Sequence, residues 1–91
     1  MHSVRLTITG RVQGVGYRMW AERTATSLGI TGWVRNRADG SVELQATGSE
    51  TAIDALIEAC RRGPRAAAVA GVSVTETQDD GSVGFSARQT V

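Results

Sequence analysis

The sequence contains no lysine, and all ten of its cationic side chains are arginines. Chemistry that depends on a Schiff-base lysine or on the lysine of a P-loop is therefore excluded. The single histidine, His2, lies next to the start of the chain, where a solvated side chain is expected. A histidine triad or a histidine general base is disfavoured for that reason.

The sequence has one cysteine, Cys60, so an intramolecular disulfide and a cysteine zinc cluster are excluded. Because disulfides are rare in the cytoplasm, this usage favours a cytoplasmic protein. The first ten residues, MHSVRLTITG, lack the apolar centre of a signal peptide. No stretch approaches the ~20 apolar residues that cross a membrane. Neither secretion nor a membrane partner is predicted.

The length of 91 residues predicts one domain, residues 1–91. Val4, Leu6 and Ile8 alternate with polar residues, which is typical of a half-buried strand. The apolar positions of two amphipathic helices are Tyr17, Ala21, Thr24 or Ala25, and Leu28 in the first, and Ile53, Leu56, Ile57 and Cys60 in the second. The order β-α-β-β-α-β, with a short terminal strand around Val83 to Ala87, predicts a ferredoxin-like α+β sandwich. Its sheet is expected to be antiparallel, with both helices on one face.

Local signals mark the ends of these elements. Gly29 follows the first helix as a C-terminal cap, and Ser49 precedes the second as an N-cap. Asp39-Gly40 lies between two strand-like segments and indicates a hairpin turn. Gly63-Pro64 ends the second helix.

The sheet face away from the helices is expected to be open to solvent. Four residues predicted to line it are Arg5, Thr7, Glu43 and Gln45. Single-stranded RNA binding on such a face needs exposed aromatic side chains, whereas Trp33 and Phe85, the aromatics on strands, are expected to pack. The net charge of +1 also disfavours nucleic acid and anionic membranes as partners.

A glycine-rich stretch, GRVQGVGYR, connects the first strand to the first helix at residues 10–18. Gly10, Gly14 and Gly16 are expected to turn backbone N–H groups toward a bound anion, since a helix N-terminus favours negative charge. The guanidinium of Arg18 matches two phosphate oxygens. A tight turn with Arg18 as a surface residue explains the same residues equally well. The spacing fits neither a Walker A motif nor a dinucleotide fingerprint.

Asn36 is the only asparagine and precedes the hairpin turn. Its carboxamide both donates and accepts hydrogen bonds, so it suits the placement of a water molecule beside a bound oxyanion. Shaping the Asp39-Gly40 turn is the alternative, and it is a common role of asparagine.

Two stretches, GRVQGVGYR and GWVRNRADGSVELQATG, resemble the signature stretches of the acylphosphatase family. LGITGWVRN and GPRAAAVAGVSV extend the resemblance over nearly the whole chain. Tyr17 departs from the pattern, because the family usually has phenylalanine or methionine there. Its hydroxyl needs a polar partner or solvent.

The resemblance implies metal-independent hydrolysis of the carboxyl–phosphate bond of small acyl phosphates, with inorganic phosphate as a product and no cofactor. Arg18 and Asn36 are the catalytic residues it implies: Arg18 binds phosphate and Asn36 places the attacking water. The substrate-binding residues it implies, through their backbone N–H groups, are Gly14, Val15, Gly16, Tyr17 and Arg18. A monomer is expected. The alternative is a non-catalytic module that binds phosphate or carbamoyl phosphate, as in larger maturation enzymes.

Overall fold

The computed structural model describes all residues, Met1–Val91, and contains five strands and two helices. In chain order these are β1 (His2–Arg11), α1 (Tyr17–Ser27), β2 (Thr31–Asn36), β3 (Val42–Gly48), α2 (Glu50–Arg62), β4 (Ala68–Glu76) and β5 (Phe85–Arg88). The strands form a single sheet in the order β4-β1-β3-β2-β5. Element order and layering are those of the predicted α+β sandwich.

The sheet is mixed, whereas the sequence predicted an antiparallel one. β1 pairs antiparallel with β3 and β4, and β2 pairs antiparallel with β3. β5 pairs parallel with β2, because the chain leaves β4 at one edge and returns at the other edge in the direction of β2. Val83, expected in the last strand, lies before it and is exposed.

Both helices pack on one face of the sheet and share one hydrophobic core with it. α1 contacts mainly β2 and β5, and α2 contacts mainly β4 and β1. Ala21 and Ala25 of α1 and Ile53, Leu56 and Cys60 of α2 are fully buried against the apolar side chains of the strands. Neither helix is long and apolar enough to cross a membrane.

The other face of the sheet is covered at its centre, so the expectation that it is open to solvent is wrong there. Glu43 and Gln45 are only 7% and 1% exposed. The indole of Trp33, 4% exposed, lies on this face, and its Nε1–H donates to Asp80 Oδ2 at 2.9 Å. Gln45 Nε2 donates to the carbonyl of Gln78 at 2.9 Å. The segment between β4 and β5 therefore crosses this face and shields it.

Three guanidinium groups surround the Trp33 ring on this covered face. Those of Arg5, Arg35 and Arg88 lie 5.0, 4.5 and 5.0 Å from its centroid. Cation–π contact and the apolar stems of these side chains bury a face that the alternating pattern assigns to water.

Glu43 is the central anion of the same face. It accepts hydrogen bonds from Arg5 Nη1 at 3.0 Å, Arg35 Nε at 2.7 Å and Arg37 Nη1 at 3.3 Å. Its carboxylate joins β1, β2 and the start of the hairpin turn, because its partners lie on all three. Removing it leaves three arginines beside one another with no shared anion.

Glu43→Gln is expected to lower the free energy of unfolding at pH 7 by about 2 kcal/mol. Breaking a buried ion pair costs about 3–5 kcal/mol, and the partial exposure of the three arginines reduces that value. Urea unfolding measures the difference. Glu58→Gln is the matched control, since Glu58 is 72% exposed and its pair with Arg61 contributes little.

The same substitution is expected to make the free energy of unfolding fall less steeply as the pH is lowered into the acid range. Burial raises the pKa of Glu43, but hydrogen bonds from Arg35 and Arg5 outweigh burial and hold the pKa below its ordinary value of 4.5. A carboxyl whose pKa is lower in the folded state stabilises the protein above its unfolded pKa, and that stabilisation is lost as pH falls. The difference between wild type and Glu43→Gln should therefore shrink below pH 4.5. A difference that stays constant from pH 7 to pH 3 would contradict this account.

Candidate active site

The loop between β1 and α1 presents a row of unpaired backbone N–H groups. The first helical hydrogen bond runs from the Trp20 N–H to the Gly16 carbonyl at 3.1 Å. None of the N–H groups of residues 14–19 donates to a backbone carbonyl. Since the start of a helix also carries a partial positive charge, this row is suited to bind an anion.

Two glycines give the loop its shape, and a third does not belong to it. Gly14 and Gly16 have φ angles of +73° and +79°, which side chains other than glycine rarely adopt. Gly10 lies within β1, at a register shift against β4. A Cβ atom at Gly10 would lie 2.4 Å from the Ala68 carbonyl oxygen. The expectation that Gly10 shapes the anion loop is therefore wrong, because it permits close approach of β4.

Arg18, the second residue of α1, lines the same cleft as Gly14 and Gly16. Its Nη1 donates to the carbonyl of Arg88 in β5 at 3.0 Å. No carboxylate lies within ion-pair distance of it. A guanidinium oriented by one backbone carbonyl keeps further N–H donors for two oxygens of a phosphate.

Asn36, the last residue of β2, lines this cleft as well. Its Oδ1 atom is buried and has no hydrogen-bond partner in the protein. The hairpin turn is shaped instead by Asp39, whose Oδ1 accepts from the Ser41 N–H at 2.9 Å and the Ser41 hydroxyl at 2.6 Å. Turn formation therefore does not explain the side chain of Asn36. A buried acceptor without a partner is costly, which points to a ligand or water at this position.

Gln13 connects the anion loop to the hairpin and was not singled out by the sequence. Its Nε2 donates to the carbonyls of Arg37 at 2.7 Å and Ser41 at 2.9 Å. These two bonds hold the loop against the hairpin turn that follows Asn36. Its place within the glycine-rich stretch was the only available signal.

The cleft has a volume of about 380 Å³. It is lined by Val12, Gln13, Gly14, Gly16, Tyr17, Arg18, Met19, Glu22, Asn36 and Ala87. Arg18 and Glu22 are its only charged residues. Glu22 follows Arg18 by four positions on α1, so both project from one face of the helix. This spacing could have identified Glu22 from the sequence.

Val15 and Tyr17, two of the expected substrate-binding residues, direct their side chains elsewhere. Val15 packs against the core and does not line the cleft. Tyr17 is 2% exposed, and its hydroxyl donates to the Cys60 carbonyl at 2.7 Å. Burial raises the pKa of the Tyr17 phenol and raises that of the Cys60 thiol to about 11, so both stay neutral. The unusual tyrosine hydroxyl thus has a partner in the core, and Cys60 is the expected core thiol.

Fold and cleft together define a class of protein. It is a ferredoxin-like α+β sandwich in which the first loop, the first helix and one arginine form an anion site beside an asparagine with a free acceptor. These features suit the binding of a small phosphorylated compound.

The acylphosphatase family model matches residues 4–87, and the chain belongs to the acylphosphatase family. It is 55% identical over 76 residues to the acylphosphatase of Rhizobium etli, a match that covers 84% of this chain and 81% of that protein. The crystal structure of acylphosphatase from Bacillus subtilis is similar with a TM-score of 0.93 and 39% identity, covering 97% of this chain and 99% of that one. These similarities confirm the predicted family, fold class and acylphosphatase function.

A larger protein contains the same fold. The crystal structure of full-length HypF in its phosphate- and nucleotide-bound form is similar with a TM-score of 0.90 over 98% of this chain, but over only 12% of HypF. At 23% identity this likeness shows the fold alone.

Proposed function

We propose that Arg18 and the backbone N–H groups of residues 14–18 bind the phosphate of an acyl phosphate, and that Asn36 places the water that attacks it. One observation carries this proposal: Gly14, Gly16, Arg18 and Asn36 line a single cleft, the loop N–H groups have no backbone partner, and the buried Oδ1 of Asn36 has no partner in the protein. The three parts come from β2, α1 and the loop before α1, which Gln13 holds against the hairpin.

The reaction transfers a phosphoryl group to water. The water oxygen attacks phosphorus, the bond from phosphorus to the acyl oxygen breaks, and the carboxylate leaves with the electron pair. The proton of the water passes to a phosphate oxygen. Because a carboxylate is stable without protonation, a general acid contributes little, which fits a cleft without histidine.

Asn36 serves both reactants through the two ends of its carboxamide. Oδ1 accepts a hydrogen bond from the water, and Nδ2 donates to a phosphate oxygen. The lone pair of the water is thereby directed at phosphorus, and such positioning contributes much of the rate of a phosphoryl transfer.

Arg18 and the loop N–H groups stabilise the negative charge that develops on the three equatorial oxygens. Donors that are oriented before reaction need no reorganisation when that charge appears. They supply the positive charge that a metal ion supplies in other phosphoryl-transfer enzymes. We therefore infer that turnover requires no metal.

A direct assay tests this proposal. The wild-type protein in excess EDTA is expected to hydrolyse benzoyl phosphate to benzoate and phosphate, with phenyl phosphate, a phosphate monoester, as the control that is not turned over. Retained binding of inorganic phosphate with no hydrolysis of benzoyl or acetyl phosphate would favour the non-catalytic module instead. Activity that EDTA removes and magnesium restores would contradict the metal-independent mechanism.

We propose further that the protein is a cytoplasmic monomer of one domain, residues 1–91. The site needs residues from one chain only, and all buried apolar residues of the sandwich except Trp33 form one core. The buried free thiol of Cys60 suits a reducing compartment. Light scattering coupled to size exclusion measures the mass, and a dimer mass would contradict this proposal.

A further inference from the structure

We propose that the acyl group lies in the part of the cleft between α1 and β5, and that Glu22 selects acyl phosphates whose acyl group carries no negative charge. This inference rests on the proposed function, because the phosphate bound at Arg18 sets where the acyl group begins. It names the class of substrate, which the sequence leaves open.

The geometry of α1 places Glu22 beyond the phosphate. Residues four apart lie one turn apart on the same helix face, roughly 5–6 Å along it. Met19, 61% exposed, and Ala87 of β5 line the cleft beside that face. An acyl group attached to a phosphate at Arg18 therefore contacts two apolar side chains and then meets the Glu22 carboxylate.

No cation neutralises Glu22 in the cleft. Its Oε2 accepts from the Ala87 N–H at 3.3 Å, and no arginine lies within ion-pair distance. Arg18, the other charged lining residue, is engaged by the phosphate. The guanidinium of Arg88 lies 5.0 Å from the Trp33 ring, on the opposite face of the sheet. A negative acyl group is therefore repelled and a positive one attracted, since no compensating charge stands between them.

Three rigid substrates distinguish the effect of the charge of the acyl group from the effect of its size. They are benzoyl phosphate, 4-carboxybenzoyl phosphate and 4-(aminomethyl)benzoyl phosphate. Wild type is expected to hydrolyse benzoyl phosphate with a kcat/KM at least tenfold above that for the carboxybenzoyl compound, and the aminomethyl compound at least as well as benzoyl phosphate. Glu22→Gln keeps an acceptor for the Ala87 N–H and removes the charge. In this variant the benzoyl to carboxybenzoyl ratio is expected to fall below threefold.

Glu76→Gln removes an exposed carboxylate of β4 that does not line the cleft, and it should keep the wild-type ratio. Because the phosphate is common to all three substrates, the ratio cancels any general effect of Glu22 on phosphate binding. Raising the salt concentration should also lower the ratio of kcat/KM for benzoyl phosphate to that for the carboxybenzoyl compound in wild type, because salt screens the repulsion.

A wild-type ratio below threefold, or a ratio that Glu22→Gln leaves unchanged, overturns the role of Glu22. Both results require normal turnover of benzoyl phosphate by wild type, so the proposed function survives them. Failure of wild type to hydrolyse benzoyl phosphate overturns the proposed function instead, and with it this inference.

Discussion

Arg18→Ala is expected to lower kcat/KM for benzoyl phosphate by about 10³-fold or more, which is the lower end of the effect of an arginine that stabilises a transferring phosphoryl group. The same change should weaken competitive inhibition by inorganic phosphate by at least about tenfold, since hydrogen bonds to charged groups contribute about 1.5–3 kcal/mol. Both effects follow from the loss of the only cation that lines the cleft. Steady-state kinetics with phosphate as inhibitor measures both.

Two further variants make this result specific. Arg23→Ala removes an exposed arginine from the same helix and should retain wild-type kinetics. Arg18→Lys keeps the charge but loses the planar pair of donors, so an intermediate loss is expected. Thermal unfolding checks that loss of the bond from Arg18 to the Arg88 carbonyl leaves the protein folded. A folded Arg18→Ala protein with more than a tenth of wild-type kcat/KM would refute the assigned role.

Asn36→Ala is expected to lower kcat by about 10²-fold, the cost of misplacing a reacting group by roughly 1 Å. Inhibition by inorganic phosphate should stay within about threefold of wild type, because Arg18 and the loop N–H groups are untouched. The substitution also removes the buried oxygen that has no partner, so no loss of stability is expected from it. Stopped-flow or steady-state measurement of kcat, together with phosphate inhibition, separates the two effects.

Asn36→Asp is expected to differ from Asn36→Ala in its effect on phosphate inhibition. Its carboxylate would repel the phosphate, so both kcat and phosphate inhibition should weaken. The contrast between the two variants shows whether Asn36 acts on water or serves as an anchor for phosphate. Full activity of Asn36→Ala would show that the water is placed by another group.

Much of the architecture was predictable because its signals are local. The change from alternating to helical periodicity marked the strands and helices, and Ser49 caps α2 as expected, accepting from the Ala52 N–H at 3.1 Å. The parallel pairing of β5 was not predictable from such signals. It depends on where the chain returns after crossing the sheet.

The covered face of the sheet shows where sequence patterning misleads. Arg5, Glu43 and Gln45 occupy polar positions of alternating strands, which predicts solvent. Burial there comes from partners distant in sequence: Gln45 bonds to Gln78, and Trp33 bonds to Asp80, 47 positions away. Periodicity reports which face a residue occupies but not what covers that face.

Some residues of the candidate site were likewise predictable from the sequence, and others were not. Arg18 and Asn36 were singled out from residue chemistry and from the resemblance of two stretches, and the structure brings them into one cleft. The spacing relates Glu22 to Arg18 on one helix face, but the importance of Gln13 and Glu22 depends on contacts with the hairpin and with β5, which only the folded chain contains.

The sequence by itself determined the order of elements, the exclusion of lysine chemistry, and the family to which the chain belongs, and it disfavoured histidine chemistry. These follow from residue identity and from short-range spacing. Tertiary structure alone decided that Gly10 permits the close approach of β4, that the Tyr17 hydroxyl bonds to the Cys60 carbonyl, and that Glu22 lines the same cleft as Asn36 and Ala87. Each of these depends on a contact between distant parts of the chain, which exists only after the sandwich has packed.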